Sequence, residues 1–365
     1  MAWKDSIIVW GGCDYTERWP ARWALRNKVY QHRSGEWIRR DTRGFVPEPS
    51  WNVVVQVVGD RMIVMDMVED DEDSYTIVCS LDLNSWTWIG LTPNGTPPSI
   101  PFFDGGTWVH NEKIYCFGGR DYNYTNQLFC YNPSKNSWEW PNQGGDIPTP
   151  RFVPMTIVRE DTVFVLGGES IEGPQNDLYI LDMSGMVWTK VHGNISHFPW
   201  ADWYSCGTFT CISPSAALLY GTFWRSKKEE RSAECWLLDL DKANELQEAS
   251  PIWTRIPNHY LRRWQSAVVE PISQRLWVIG GHDKNNDATS DVLEVSFNLL
   301  PLKILALDHV AQTMDEDDAR LQSPNCPKGL KTDIDHHRSN LGMTYVCSAE
   351  TGCLDCQPAV DQPNM

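Results

Sequence analysis

Residues 113–119 read KIYCFGG, an apolar strand closed by two glycines, and the same phrase returns along the chain. SIIVWGG ends at Gly11 and Gly12, TVFVLGG at Gly167 and Gly168, and RLWVIGG at Gly280 and Gly281. Two degenerate copies fill the gaps: RMIVMDM, with Met67 where the first glycine would stand, and AALLYGT, which keeps only Gly221. The first-glycine positions are then 56, 51, 49, 54 and 59 residues apart. Self-similarity at a period of roughly 50 residues is the mark of a repeat architecture. The chain is therefore read as six units of one kind.

Working outward from the glycine strand, a second apolar strand follows in most units: QLFCYN, NDLYILD, CWLLDLD and DVLEVSF. A tryptophan strand comes next, in EWIRRD, SWTWIGL, SWEWPN, MVWTKV and IWTRI. Short apolar strands punctuated by Gly, Asn, Asp and Pro predict antiparallel meanders. Trp37, Trp88, Trp140, Trp188 and Trp253 fall at one place in the unit, which predicts packing between adjacent sheets. Units two to five offer four strand candidates each, beginning near Trp51, Phe103, Arg151 and Trp203. The first unit opens on its glycine strand with only residues 1–5 ahead of Ser6, so it is expected to lack a leading strand. The last unit reaches Val292 with no tryptophan strand behind it. An open or imperfectly closed ring is one expectation from these ends.

The 365 residues carry 31 Lys plus Arg against 48 Asp plus Glu, a net charge of -17. That balance argues against nucleic acid or an anionic membrane surface as the partner. No apolar run approaches the roughly 18 residues of a membrane span, and the first residues do not read as a signal peptide. A cytoplasmic or nuclear protein is expected. Cys116, Cys130, Cys206, Cys211 and Cys235 lie singly in apparent strands, where a thiol acts as a small buried hydrophobe. Cys347, Cys353 and Cys356, with His336 and His337 upstream, lack the paired spacing of a zinc site. His282 with Asp283 is an adjacent polar pair in a loop, read as solvated. No phosphate loop, HExxH or GxSxG stands in the chain, and the glycine pairs end strands without opening helices. The reading is a non-catalytic protein with no metal and no cofactor.

From Pro301 the apolar period changes from two to about 3.6. In PLKILALDHVAQTM, Leu302, Leu305, Ala306 and Val310 share one helical face, and Pro301 suits a first helical position. Packing back onto the sheets is the simplest use of such a helix. Further on, CPKGLKTDI carries Pro327, Leu330 and Ile334. The acidic run from Asp315 to Asp318 lies between the two segments.

The repeat is similar to the Kelch family over residues 6–297, and a six-unit β-propeller, all-β and followed by a short helical segment, is what that resemblance implies. Pro301, Leu302, Leu305, Ala306 and Val310 resemble the box by which ubiquitin-ligase receptors bind the elongin B and elongin C adaptor. Pro327, Leu330 and Ile334 resemble a cullin-2 box. In order, GTWVHNEKIYCFGG, TPRFVPM, NDLYILD with MVWTKV, ADWYSCG, LRRWQSA, PLKILALDHVA and NCPKGL look like Kelch domain-containing protein 2 and its close paralogues, substrate receptors of cullin-2 RING ligases. The resemblance implies a propeller at 6–297, adaptor and cullin boxes at 300–334, and an unstructured tail at 335–365.

In that family the propeller captures the C-terminus of a substrate through basic and hydroxyl groups, since a buried carboxylate needs partners. Position by position the clamp does not carry over. Asp104 stands where the family has a lysine, Glu169 and Pro174 where it has two arginines, and Asp202 where it has a serine, although Trp203 is kept. Arg120, Arg225, Arg262 and Arg263 are candidate replacements, each of which alone also reads as a solvated loop charge. Trp203, Trp264, Tyr122 and Tyr124 are candidate apolar walls, or ordinary sheet packing. If Asp104, Glu169 and Asp202 converge, the pocket is mixed or acidic and suits an internal or basic peptide. The expected function is a substrate receptor joined to elongin B, elongin C and cullin-2. The alternatives are a Kelch scaffold without ligase coupling and, more remotely, a metal-dependent propeller enzyme.

Overall fold

The computed structural model describes residues 1–296 and the strand Thr344–Cys347. Within 1–296 it leaves out 12, 17–21, 26, 49, 51–52, 70–73, 99–104, 121–122, 193–202, 206, 226–229, 245–251, 256–264, 271–274 and 283–291. The adaptor-box residues Pro301, Leu302, Leu305, Ala306 and Val310, and the cullin-box residues Pro327, Leu330 and Ile334, lie outside the described residues.

Six blade sheets follow one another along the chain, antiparallel but for a two-residue parallel edge strand in the second and fourth, and make a six-bladed propeller. Sheet three is the plainest, with Gly106–His110, Lys113–Phe117, Leu128–Asn132 and Ser137–Glu139 hydrogen-bonded in sequence order. Sheet four repeats it with Met155–Arg159, Thr162–Leu166, Leu178–Asp182 and Val187–Lys190. The one helix among the described residues is the short turn Leu240–Asn244.

Why the glycine strands carry continuous apolar runs follows from the packing. In a strand, successive side chains point to opposite faces. Ile114 and Cys116 pack into a cluster with Ile63 and Met65 of sheet two, while Tyr115 and Phe117 join Val163 and Val165 of sheet four. Both faces are buried, so alternation disappears and a continuous apolar run remains. The tryptophan strands serve the same interfaces: Trp88, Trp188 and Trp253 each sit at the junction with the preceding sheet.

This packing also decides closure. Six clusters serve the six junctions, and the sixth joins Ile7 of sheet one to Trp277 and Val292 of sheet six, with Trp37 against them. His32 is wedged there, its ring 4.5 Å from Trp277 and 5.0 Å from Trp37. The ring is closed, which corrects the expectation of an open one. Two further corrections explain how.

Sheet one does have a leading strand, the two residues Ala2–Trp3, paired antiparallel so that Ala2 faces Ile7 and Trp3 faces Ser6. Sheet six gains its fourth strand from Thr344–Cys347, which pairs antiparallel with Val292–Ser296. Four residues of the segment expected to be an unstructured tail therefore belong to the sheet system, which reaches past 6–297 at both ends. A third correction concerns register. Trp138, opposite Tyr131, is buried in the junction, whereas Trp140 is 41% exposed.

Cys79, Cys116, Cys130 and Cys235 are buried free thiols, and Cys211 is partly buried. Burial pushes the Cys79 and Cys211 thiols up to about 11. No group of three or more metal-ligating side chains occurs among the described residues. No helix among them is long and apolar enough to cross a membrane.

Candidate protein-binding site

The glycine pairs shape one end of the ring. After Phe117 the chain must turn while the next unit's entry strand passes against it. Gly118 and Gly119 have φ of 77° and 110°, and a Cβ on Gly118 would lie 2.5 Å from the Arg151 carbonyl oxygen. Only glycine tolerates both demands. The Gly119 amide then donates to that oxygen at 2.9 Å, and the Arg151 amide donates to the Thr125 carbonyl at 3.0 Å. The pattern recurs one unit on, where Gly168 has φ of 94° and a Cβ there would meet the Phe152 carbonyl oxygen at 2.8 Å. The Phe152 and Glu169 backbones exchange two hydrogen bonds, each 2.9 Å. Backbone bonds thus tie the loops of sheets three and four into one surface.

Arg151 anchors that surface from beneath. Its side chain is fully buried. Nη1 donates to the Gly167 carbonyl at 2.8 Å and to Asp177 Oδ1 at 2.5 Å. Nη2 donates to Asp177 Oδ2 at 3.1 Å and to Thr149 Oγ1 at 2.9 Å, and Nε donates to the Thr149 carbonyl at 3.0 Å. All five guanidinium donors are satisfied, which is what makes burial of the charge affordable.

On top of the anchor lies a cluster of charge and aromatic surface. Arg120 is exposed and its guanidinium sits 4.2 Å from the Phe152 ring centroid and 5.9 Å from that of Tyr124. Tyr124 and Phe152 pack against each other at 5.6 Å. Arg120 and Tyr124 also pair through their backbones. The half-buried Glu169 carboxyl is held above the usual glutamate range by burial; the Arg120 charge and a hydrogen bond from the Tyr124 hydroxyl oppose the shift. Glu169 faces Pro174 across a two-stranded hairpin whose tip carries Ile171, 87% exposed. Beside Phe152, Val153 is 42% exposed and holds φ of 47°, a left-handed backbone that a β-branched residue rarely adopts. Such strain persists where the surrounding structure fixes it and tends to cluster at binding surfaces.

Of the residues singled out from sequence, Arg120, Tyr124 and Glu169 are brought together. Trp203 and Arg225 face each other across the paired strands Trp203–Ser205 and Ala216–Arg225. Asp104, Tyr122, Asp202, Arg262, Arg263 and Trp264 lie outside the described residues. Phe152, Val153 and Ile171 were not anticipated. Within TPRFVPM the strand pattern already accounted for the apolar residues, but Ile171, apolar between Ser170 and Glu172, was a signal that a loop reading could have used. The first strands of sheets four to six border an open depression lined by Thr156, Thr210, Cys211 and Val268 among others. It holds no charged side chain.

The family described as the KLHDC2/KLHL20/DRC7 Kelch-repeats domain matches residues 1–221. Over 193 residues the chain is 25% identical to acyl-CoA-binding domain-containing protein 4 of Arabidopsis thaliana, covering 52% of this chain and 28% of that protein. It is 24% identical over 246 residues to Kelch domain-containing protein 1 of Mus musculus, covering 59% of each. The chain thus spans under a third of the plant relative and about three-fifths of the mouse one. The solved structure of YjhT superposes with a TM-score of 0.56 at 14% identity, covering 74% of this chain and 89% of that one. At that identity the likeness speaks for the fold.

Proposed function

We propose, because the chain belongs to the KLHDC2/KLHL20/DRC7 Kelch-repeats family, that it is a receptor which holds a partner protein on the loop face of sheets three and four and presents it to a ubiquitin ligase. Kelch propellers serve in general as non-catalytic scaffolds for protein–protein interaction, and this chain is such a propeller. The observation that carries the site is the exposed Arg120 held over Phe152 and Tyr124 beside Glu169. An arginine pre-organised on aromatic faces binds with little loss of side-chain freedom, and Arg and Tyr are enriched at interface hot spots.

The ligase connection rests on the sequence pattern from Pro301 to Ile334 following the propeller. In this reading Leu302, Leu305, Ala306 and Val310 contact elongin C, and Pro327, Leu330 and Ile334 contact cullin-2. The mechanism is positional: holding the substrate near the catalytic assembly raises its effective concentration without bond-making by the receptor. The test is affinity purification of the full chain and of Leu302→Ser from cells. Elongin C recovered with the wild type and lost from the variant supports the coupling. A well-folded wild type that recovers no elongin C leaves a Kelch scaffold without a ligase.

A further inference from the structure

Resting on the site just described, we infer that its ligand is an internal peptide segment carrying a lysine or arginine next to a bulky apolar residue, with Glu169 as the counter-charge and Val153 and Ile171 as the apolar contacts. Along the backbone, the exposed residues Val153 and Ile171 lie on either side of the hydrogen-bonded Phe152–Glu169 pair. Antiparallel pairing sends Val153 one way along the surface and the hairpin tip at Ile171 the other. A bound segment that covers both must therefore cross Glu169.

Charge decides what it carries there. Arg120 is exposed and keeps its water, and neutral peptide carbonyls satisfy its donors. Glu169 is half-buried, and its charged form has lost solvation that Tyr124 and Arg120 only partly restore. The group with most to gain from an incoming opposite charge is the carboxylate. The net charge of -17 works in the same direction, drawing basic segments toward the chain and repelling acidic ones.

The probe is an array of N-acetylated, C-terminally amidated dodecapeptides in which a central Leu or Phe is flanked by Lys and Arg, by Asp and Glu, or by Ser. A parallel set carries free C-terminal carboxylates. Each is bound to the full chain and to the variants Glu169→Gln, Ile171→Ser and Arg120→Ala, with melting temperature measured alongside. The expected result is selective binding of amidated basic peptides, weakened about tenfold or more by Glu169→Gln and also by Ile171→Ser. Affinity should fall between pH 7 and pH 5, because a raised Glu169 pKa means that more of the carboxyl is protonated at the lower pH. Best binding by acidic or free-carboxylate peptides, lost on Arg120→Ala, overturns the ligand class while leaving the site in place. Binding that none of the three variants alters, or no binding by any peptide of either set, overturns the ligand class and the site together.

Discussion

Trp138 and Trp140 stand two residues apart at the end of sheet three and have different tasks. Trp138 is 6% exposed in the junction with sheet two, while Trp140 rests on Phe129 and donates to the Thr96 carbonyl at 3.0 Å. Replacing Trp138 by Ala should cost about 3–5 kcal/mol, as for other buried tryptophans. Trp140→Ala should cost on the order of 1 kcal/mol or less. Urea unfolding of the two variants checks this, and equal losses would place the wrong tryptophan in the junction. The sequence offers both residues in SWEWPN, and Trp138, 50 residues from both Trp88 and Trp188, is the one the repeat spacing favours. What separates them is register: Tyr131 pairs with Trp138 as Leu181 pairs with Trp188. Arg120 was legible because it directly follows a glycine pair, and Glu169 because it follows another. Arg151 was not, since its role depends on Asp177 and Gly167, which reach it only after the sheets have packed.

Among the elements, the glycine strands declared themselves because burial on both faces leaves only apolar residues. The fourth strand of sheet six did not. TYVC at 344–347 is short and separated from Ser296 by 47 residues, so nothing local marks it as a partner of Val292–Ser296. Its consequence is direct, because an unpaired edge exposes backbone donors and acceptors. In sheets two and four the tryptophan strands Thr87–Leu91 and Val187–Lys190 cover that edge, and Arg43–Gly44 and Gly144–Gly145 run parallel beyond them. Removing residues 343–365 should speed amide exchange at Val292–Ser296 by about tenfold or more, given roughly 0.5–1.5 kcal/mol net per backbone hydrogen bond. Exchange there should otherwise match sheet three. Unchanged protection at Val292–Ser296 after truncation would mean that Thr344–Cys347 does not complete the sheet.

At the scale of the whole molecule, closure makes the proposed binding face a property of the ring. Ile7, Trp37 and His32 of the first sheet lock against Trp277 and Val292 of the last. With every junction packed, the loops of sheets three and four are held in fixed relation. The period of the glycine phrases predicted six units, but the pattern of the ends suggested an incomplete ring, because a two-residue strand such as Ala2–Trp3 carries no periodicity to read. The site was half legible for the same reason: charges announce themselves in loops, whereas the aromatic support of Arg120 by Phe152 exists only across a junction.

We propose that this closed propeller holds partner proteins through the face built by Arg120, Phe152, Glu169 and Ile171. The most direct measurement is quantitative affinity purification of the full-length wild type beside the double variant Arg120→Ala, Ile171→Ser. Both changes are at exposed side chains, so the melting temperatures should agree. We expect proteins enriched on the wild type to fall by about tenfold or more on the variant, as when hot-spot residues worth at least ~1.4 kcal/mol are lost. An unchanged set of partners at unchanged abundance would contradict it.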